Sequence, residues 1–84
     1  MNLERAILLA ILAMKNDPIY ADQILRTVPQ FTMARCSLAD LHTALSELEA
    51  KGEVSATAGS REDAQGRPLL AYFLTPKGRN RAQS

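Results

Sequence analysis

Ser37-Leu38-Ala39-Asp40-Leu41-His42-Thr43-Ala44-Leu45-Ser46-Glu47-Leu48-Glu49-Ala50-Lys51-Gly52 carries helix signals at both of its ends. Ser37 and Asp40 stand as a capping box, in which hydroxyl and carboxylate each satisfy a backbone N–H that a helix start leaves unpaired. Leu38, Leu41, Leu45 and Leu48 recur at helical spacing as a core-facing stripe, and Gly52 supplies a left-handed stop after Lys51. A helix over about 37–51 is expected. After Gly52 the apolar period changes to two. Val54, Ala56 and Ala58 alternate with polar residues, and Leu70, Tyr72 and Leu74 alternate with Leu69, Ala71 and Phe73, so strands are expected over about 53–58 and 68–74. Gly59 to Pro68, polar and carrying Arg61 and Arg67, reads as a long hairpin tip between them.

Upstream, Asn16 closes one helix, and Asp17 and Pro18 open the next as N-cap and first helical residue. That second helix is expected over about 18–28, with Ala21, Ile24, Leu25 and Val28 inward and Pro29 as its stop. Residues 30–36 form a connector in which Phe31 and Met33 are expected to plug the core. The first helix, about 2–15, turns Leu3, Ala6, Ile7, Ala10, Ile11 and Met14 to one side. Leu8, Leu9 and Leu12 fall on the other, giving it two apolar faces. Either the rest of the domain wraps around this helix or a second subunit covers the stripe; a homodimer interface at Leu8, Leu9 and Leu12 is the simplest form of the latter. Thr75-Pro76 opens a short C-terminal turn, which Gly78 is expected to leave frayed.

The chain has 84 residues, 46% hydrophobic and 23% charged, which reads as a single domain over 1–84, mainly α with a small β-hairpin, an α+β fold. Its longest apolar run, Ala6 to Met14, is nine residues, against about 20 for a membrane span. Glu4 cancels Arg5 ahead of that run, and one cysteine, Cys36, makes no internal disulfide. A cytoplasmic, reducing compartment is the expectation. Charge is unevenly spread: residues 1–58 hold five basic and seven acidic side chains, while 59–84 hold five basic and two acidic. A polyanion would prefer the C-terminal third.

Signals for catalysis are missing. The single histidine, His42, lies mid-helix with no nucleophile beside it, and one Cys plus one His are too few for zinc. Gly52, Gly59, Gly66 and Gly78 stand too far apart for a phosphate-cradling loop. Glu62-Asp63 and Glu47/Glu49 read as solvated carboxylates, so no enzyme, metal or cofactor is expected. Cys36, beside the start of the third helix, reads as a half-buried structural thiol, although the helix dipole there would favour a thiolate.

The order helix, helix, connector, capped helix, strand, basic tip, strand makes a helix-turn-helix followed by a wing. Leu41 to Gly52, together with Gly66-Arg67-Pro68 and Tyr72-Phe73-Leu74-Thr75-Pro76-Lys77-Gly78-Arg79, resembles the winged helix-turn-helix transcription regulators, most nearly the PadR-like group and more distantly the MarR-like group. The resemblance covers about residues 3–79. It implies a dimeric, sequence-specific DNA-binding regulator whose third helix enters the major groove of double-stranded DNA. Ser37, Ala39, His42, Thr43 and Ser46, with Arg35 just ahead of them, would then face the groove, and Arg61 and Arg67 would touch phosphate or the minor groove. An alternative stays open, because Asp40, Glu47 and Glu49 against Lys51 leave the third helix acidic. It is a winged helix that meets a protein partner and binds no DNA.

Overall fold

The computed structural model describes residues 2–15 and 17–84; Asn16, read above as a helix terminator, lies outside them. Asn2 accepts the Arg5 N–H at 2.7 Å and opens α1 (Leu3–Ala13). Then come β1 (Ile19–Tyr20), α2 (Ala21–Thr27), a 3-10 turn (Val28–Gln30), α3 (Leu38–Ala50), β2 (Val54–Glu62), β3 (Pro68–Leu74) and α4 (Pro76–Gln83). The strands form one antiparallel sheet in the order β1-β3-β2.

The signals of α3 act as written. Asp40 N–H donates to Ser37 Oγ and Ser37 N–H to Asp40 Oδ2, each at 3.1 Å, and Gly52 takes φ 75° at the exit. Leu41, Ala44, Leu45 and Leu48 are buried, but Leu38 is 50% exposed because it starts the helix on the flank of the stripe.

The second helix begins later than its apparent cap. Ile19 pairs with Tyr72 and Tyr20 with Ala71, so the segment after Pro18 is strand, and α2 starts at Ala21 with Gln23 accepting the Tyr20 N–H at 2.9 Å. Burying Ile19 on the sheet outweighs the preference of Pro18 for a first helical turn. In the connector Phe31 packs on the core, whereas Met33 is 99% exposed and plugs nothing.

The hairpin tip is shorter than expected. β2 and β3 stay in register from Val54↔Leu74 to Ala58↔Leu70 and pair again at Glu62↔Pro68, so β2 carries two extra residues as a bulge. The turn is only Asp63 to Arg67, built on Asp63 Oδ1, which accepts the N–H groups of Gln65 and Arg67 at 2.9 Å each.

The C-terminal turn is a docked helix, not a frayed end. Thr75 Oγ1 accepts the Gly78 N–H at 3.1 Å, Ala82 is buried, and α4 packs along α1. With α2, α3, β3 and the 3-10 turn also against it, α1 is enclosed, which is why its second apolar stripe exists. Leu8 is 0% exposed and belongs to the core of this chain, so it is not an interface residue; Leu9 and Leu12 are partly buried against the same core. No described helix is long and apolar enough to cross a membrane.

Candidate nucleic-acid interface

With about 100° per residue in a helix, the buried side of α3 centred on Leu41, Leu45 and Leu48 leaves Ala39, Thr43, Ser46 and Ala50 as its outermost line, all exposed. This line is uncharged and small, so another surface can approach the backbone closely. Exposed His42 lies to one side of it and lines a cleft of about 440 Å³ with Tyr20, Asp22, Leu38, Arg61 and Leu70. Thr43 lines a second cleft, of about 540 Å³, with Asp40, Glu47, Glu4, Lys51 and Arg81. The three acidic residues of α3 are displaced from its outer line: Asp40 is engaged by the cap, Glu47 lies beside Lys51 and Arg81, and exposed Glu49 falls on the His42 side of the helix.

The remaining expected site residues are dispersed but exposed. Arg35 and Ser37 stand ahead of α3, and no carboxylate pairs with Arg35 among the described residues. Arg61 lies near the end of β2 and Arg67 is the last residue of the tip. Both are paired within the chain: Arg61 Nη1 with Asp22 Oδ1 at 3.4 Å and Arg67 Nε with Asp63 Oδ2 at 3.2 Å. The structure therefore brings His42 and Arg61 to one cleft and leaves Thr43, Arg35 and Arg67 apart from it.

Tyr20 was not among the expected site residues. Its hydroxyl accepts the Arg61 N–H at 3.0 Å and lies 3.4 Å from Ser60 Oγ, and the Arg61 guanidinium sits 4.6 Å above its ring. The bonds from Ser60 and then Arg61 hold the phenol below its ordinary pKa. No local pattern announces this contact, because it joins residues about 40 apart in sequence. Asp63 was also missed, although an Asp three residues before Gly66 is a turn signal.

Cys36, just ahead of α3, is a half-buried free thiol. Burial, followed by the Asp40 charge, pushes its thiol above the ordinary value, against the pull of the helix start. Among the described residues no three His, Cys, Asp or Glu side chains gather where they could hold a metal.

No protein-family model and no curated protein matches the sequence. Solved structures do match. A PadR family transcription regulator from Clostridium difficile R20291 superposes with a TM-score of 0.72 at 18% identity, over 98% of this chain and 81% of that one. A PadR-like transcription factor from Bacteroides fragilis gives 0.71 at 26% identity, over 96% and 73%. The fold is a PadR-like winged helix. Bordetella bronchiseptica BpsR, whose DNA binding is regulated by 6-hydroxynicotinic acid, gives 0.72 at 14% identity, and this chain spans 99% of its own length but about half (54%) of that protein's. The Clostridium and Bacteroides proteins are described as a transcription regulator and a transcription factor. In this PadR-like winged helix α2, the connector and α3 come before the hairpin that β2, Asp63–Arg67 and β3 make.

Proposed function

We propose that this chain is a sequence-specific DNA-binding transcription regulator that sets α3 into the major groove and its wing on the neighbouring backbone or minor groove. The observation that carries the reading is the outer line of α3, uncharged and beside His42, on a fold shared with PadR-like regulators. Thr43 and Ser46 offer hydroxyls that donate to and accept from base edges, and Ala39 offers a methyl surface for thymine. Arg35, Arg61 and Arg67 supply phosphate contacts, each adding about one unit to the dependence of log affinity on log salt. As a homodimer the protein would read a pseudo-palindrome with half-sites about one helical turn apart. With Leu8 withdrawn into the core, Leu9 and Leu12 are the part of α1 left to such a contact.

The test is a titration of purified protein against labelled random and genomic fragments at two salt concentrations, with enrichment read by sequencing. Paired half-sites and a steep salt dependence are expected. Failure to bind at low salt would sink the regulator reading. It would leave the second reading, a protein-interaction module, which the pairing of both wing arginines with Asp22 and Asp63 favours.

A further inference from the structure

We infer that Tyr20 positions the wing and that Asp22 competes with the DNA backbone for Arg61, so that phosphate must displace a carboxylate before the wing engages. The inference rests on the DNA-binding reading above and specifies how that site is restrained.

Tyr20 ends β1 and immediately precedes α2, so its backbone is fixed by pairing with Ala71 while its ring crosses to β2. The ring occupies the space where residue 59 would carry a side chain. A Cβ added to Gly59 would lie 2.5 Å from the Tyr20 hydroxyl oxygen and 2.6 Å from the ring edge, closer than real atoms come. Glycine at 59 is therefore the condition for this seat. The hydroxyl then accepts the Arg61 N–H inside the two-residue bulge, where β2 parts from the ladder of β3. Tyr20 thus supplies a partner to a wing amide at the point where the sheet does not.

The same contact fixes the guanidinium. Arg61 lies over the Tyr20 ring and donates to Asp22 Oδ1, while Asp22 Oδ2 accepts from Arg26 at 3.3 Å. One carboxylate at the start of α2 thereby partners two arginines. Asp22 and Arg61 are each about half exposed, so water and salt weaken their pairing and a phosphate can replace the carboxylate. Asp22, Arg61 and His42 line one cleft, so a DNA backbone set against both α3 and the wing would lie beside this pair.

Two measurements test the inference. DNA titrations over a salt series compare wild type, Asp22→Asn, Arg61→Ala and the double variant. Asp22→Asn is expected to tighten binding roughly three- to tenfold at low salt. That gain should vanish in the Arg61→Ala background; a gain that persists there overturns the competition, since it would come from Arg26 or from charge removal in general. Separately, amide hydrogen exchange by NMR follows the Arg61 N–H in Tyr20→Phe, which keeps the ring, and in Gly59→Ala, which displaces it. Exchange at least about tenfold faster in both is expected, and unchanged exchange overturns the positioning role of Tyr20. If neither wild type nor Asp22→Asn binds DNA, the competition falls together with the regulator reading, while the exchange result still decides what Tyr20 does to the wing.

Discussion

Arg81 on α4 donates to Glu53 Oε1 at 2.5 Å, and Glu53 is only 4% exposed. Glu53 stands where α3 ends, β2 begins and α4 starts: its N–H donates to the Leu48 carbonyl and its own carbonyl accepts the Thr75 N–H at 3.2 Å. The bond from Arg81 is what makes a buried carboxylate tolerable there. Arg81→Ala leaves that carboxylate unpaired, at a cost of roughly 1–3 kcal/mol. A fall in Tm of about 4–8 °C per kcal/mol is expected in a domain of this size, and an unchanged thermal transition would contradict the role given to the pair.

Gly78 makes the second contact of α4 with this corner. A Cβ there would run into the Glu53 carbonyl, which is backbone and cannot turn aside. Gly to Ala inside a helix ordinarily gains about 1 kcal/mol. At this position the crowding reverses the sign, and Gly78→Ala is expected to destabilise by about 1–3 kcal/mol, read as a lower urea midpoint with an unchanged slope.

How much of this was legible in the sequence divides by range. The caps of α3, Leu41, Leu45 and Leu48 of its stripe, Gly52 and the change of period after it are local signals, and the structure follows them, while Leu38 at the helix start stays half exposed. Ile19–Tyr20 escaped because a two-residue strand exists only through its pairing with β3, some 50 residues away, while the nearer signal, Asp17-Pro18, pointed to a helix. Leu8 was misplaced for a related reason. Helical periodicity sorts residues into faces, but only the packing of α4 and the 3-10 turn on α1 shows that both faces are inside. At the candidate site, pattern was enough to expect Ala39, Thr43 and Ser46 on the exposed side of α3 and Arg61 and Arg67 exposed in the hairpin. Their partners, Asp22 for Arg61 and Tyr20 beneath it, could not be expected this way, since neither contact is set by sequence spacing.

Glu4 gives the fold an acid-sensitive tie. Its carboxylate accepts from Lys51 Nζ at 2.6 Å and from Arg81 at 3.4 Å, and the Lys51 bond, opposed in part by burial, holds its pKa below the ordinary carboxylate value. Because the folded value is the lower one, the contribution is fully present above the unfolded pKa and is lost as pH falls through the folded pKa. Denaturation midpoints measured from neutral pH downward should therefore decline below about pH 4.5. Glu4→Gln should be less stable at neutral pH by up to about 1 kcal/mol and should show a smaller decline. Parallel curves for the two proteins would remove Glu4 from the account.

Leu8 and Leu12 distinguish core from interface on one helix. Leu8→Ala empties a fully buried site and is expected to cost about 2–5 kcal/mol. Leu12→Ala, at a partly buried position, should cost less. Sedimentation of Leu12→Glu reports whether α1 carries the proposed dimer: a shift to monomer with retained helical circular dichroism supports it, and an unchanged mass places the contact elsewhere.

Arg67 and Thr43 should separate affinity from specificity. Arg67 is tethered to Asp63, which also organises the turn, so Arg67→Ala removes the proposed phosphate contact and leaves the Asp63 bonds to the N–H groups of residues 65 and 67 in place. Its expected effect is weaker binding of all fragments alike, with a salt slope lower by about one. Thr43 carries no charge and lies on the outer line of α3, so Thr43→Ala should leave the slope unchanged and shift the enriched base at one position per half-site, a discrimination of about 1–3 kcal/mol. Sequencing of the fragments selected by each variant reads both effects in one experiment. A changed preference with Arg67→Ala and a changed slope with Thr43→Ala would exchange the roles assigned to the wing and to α3.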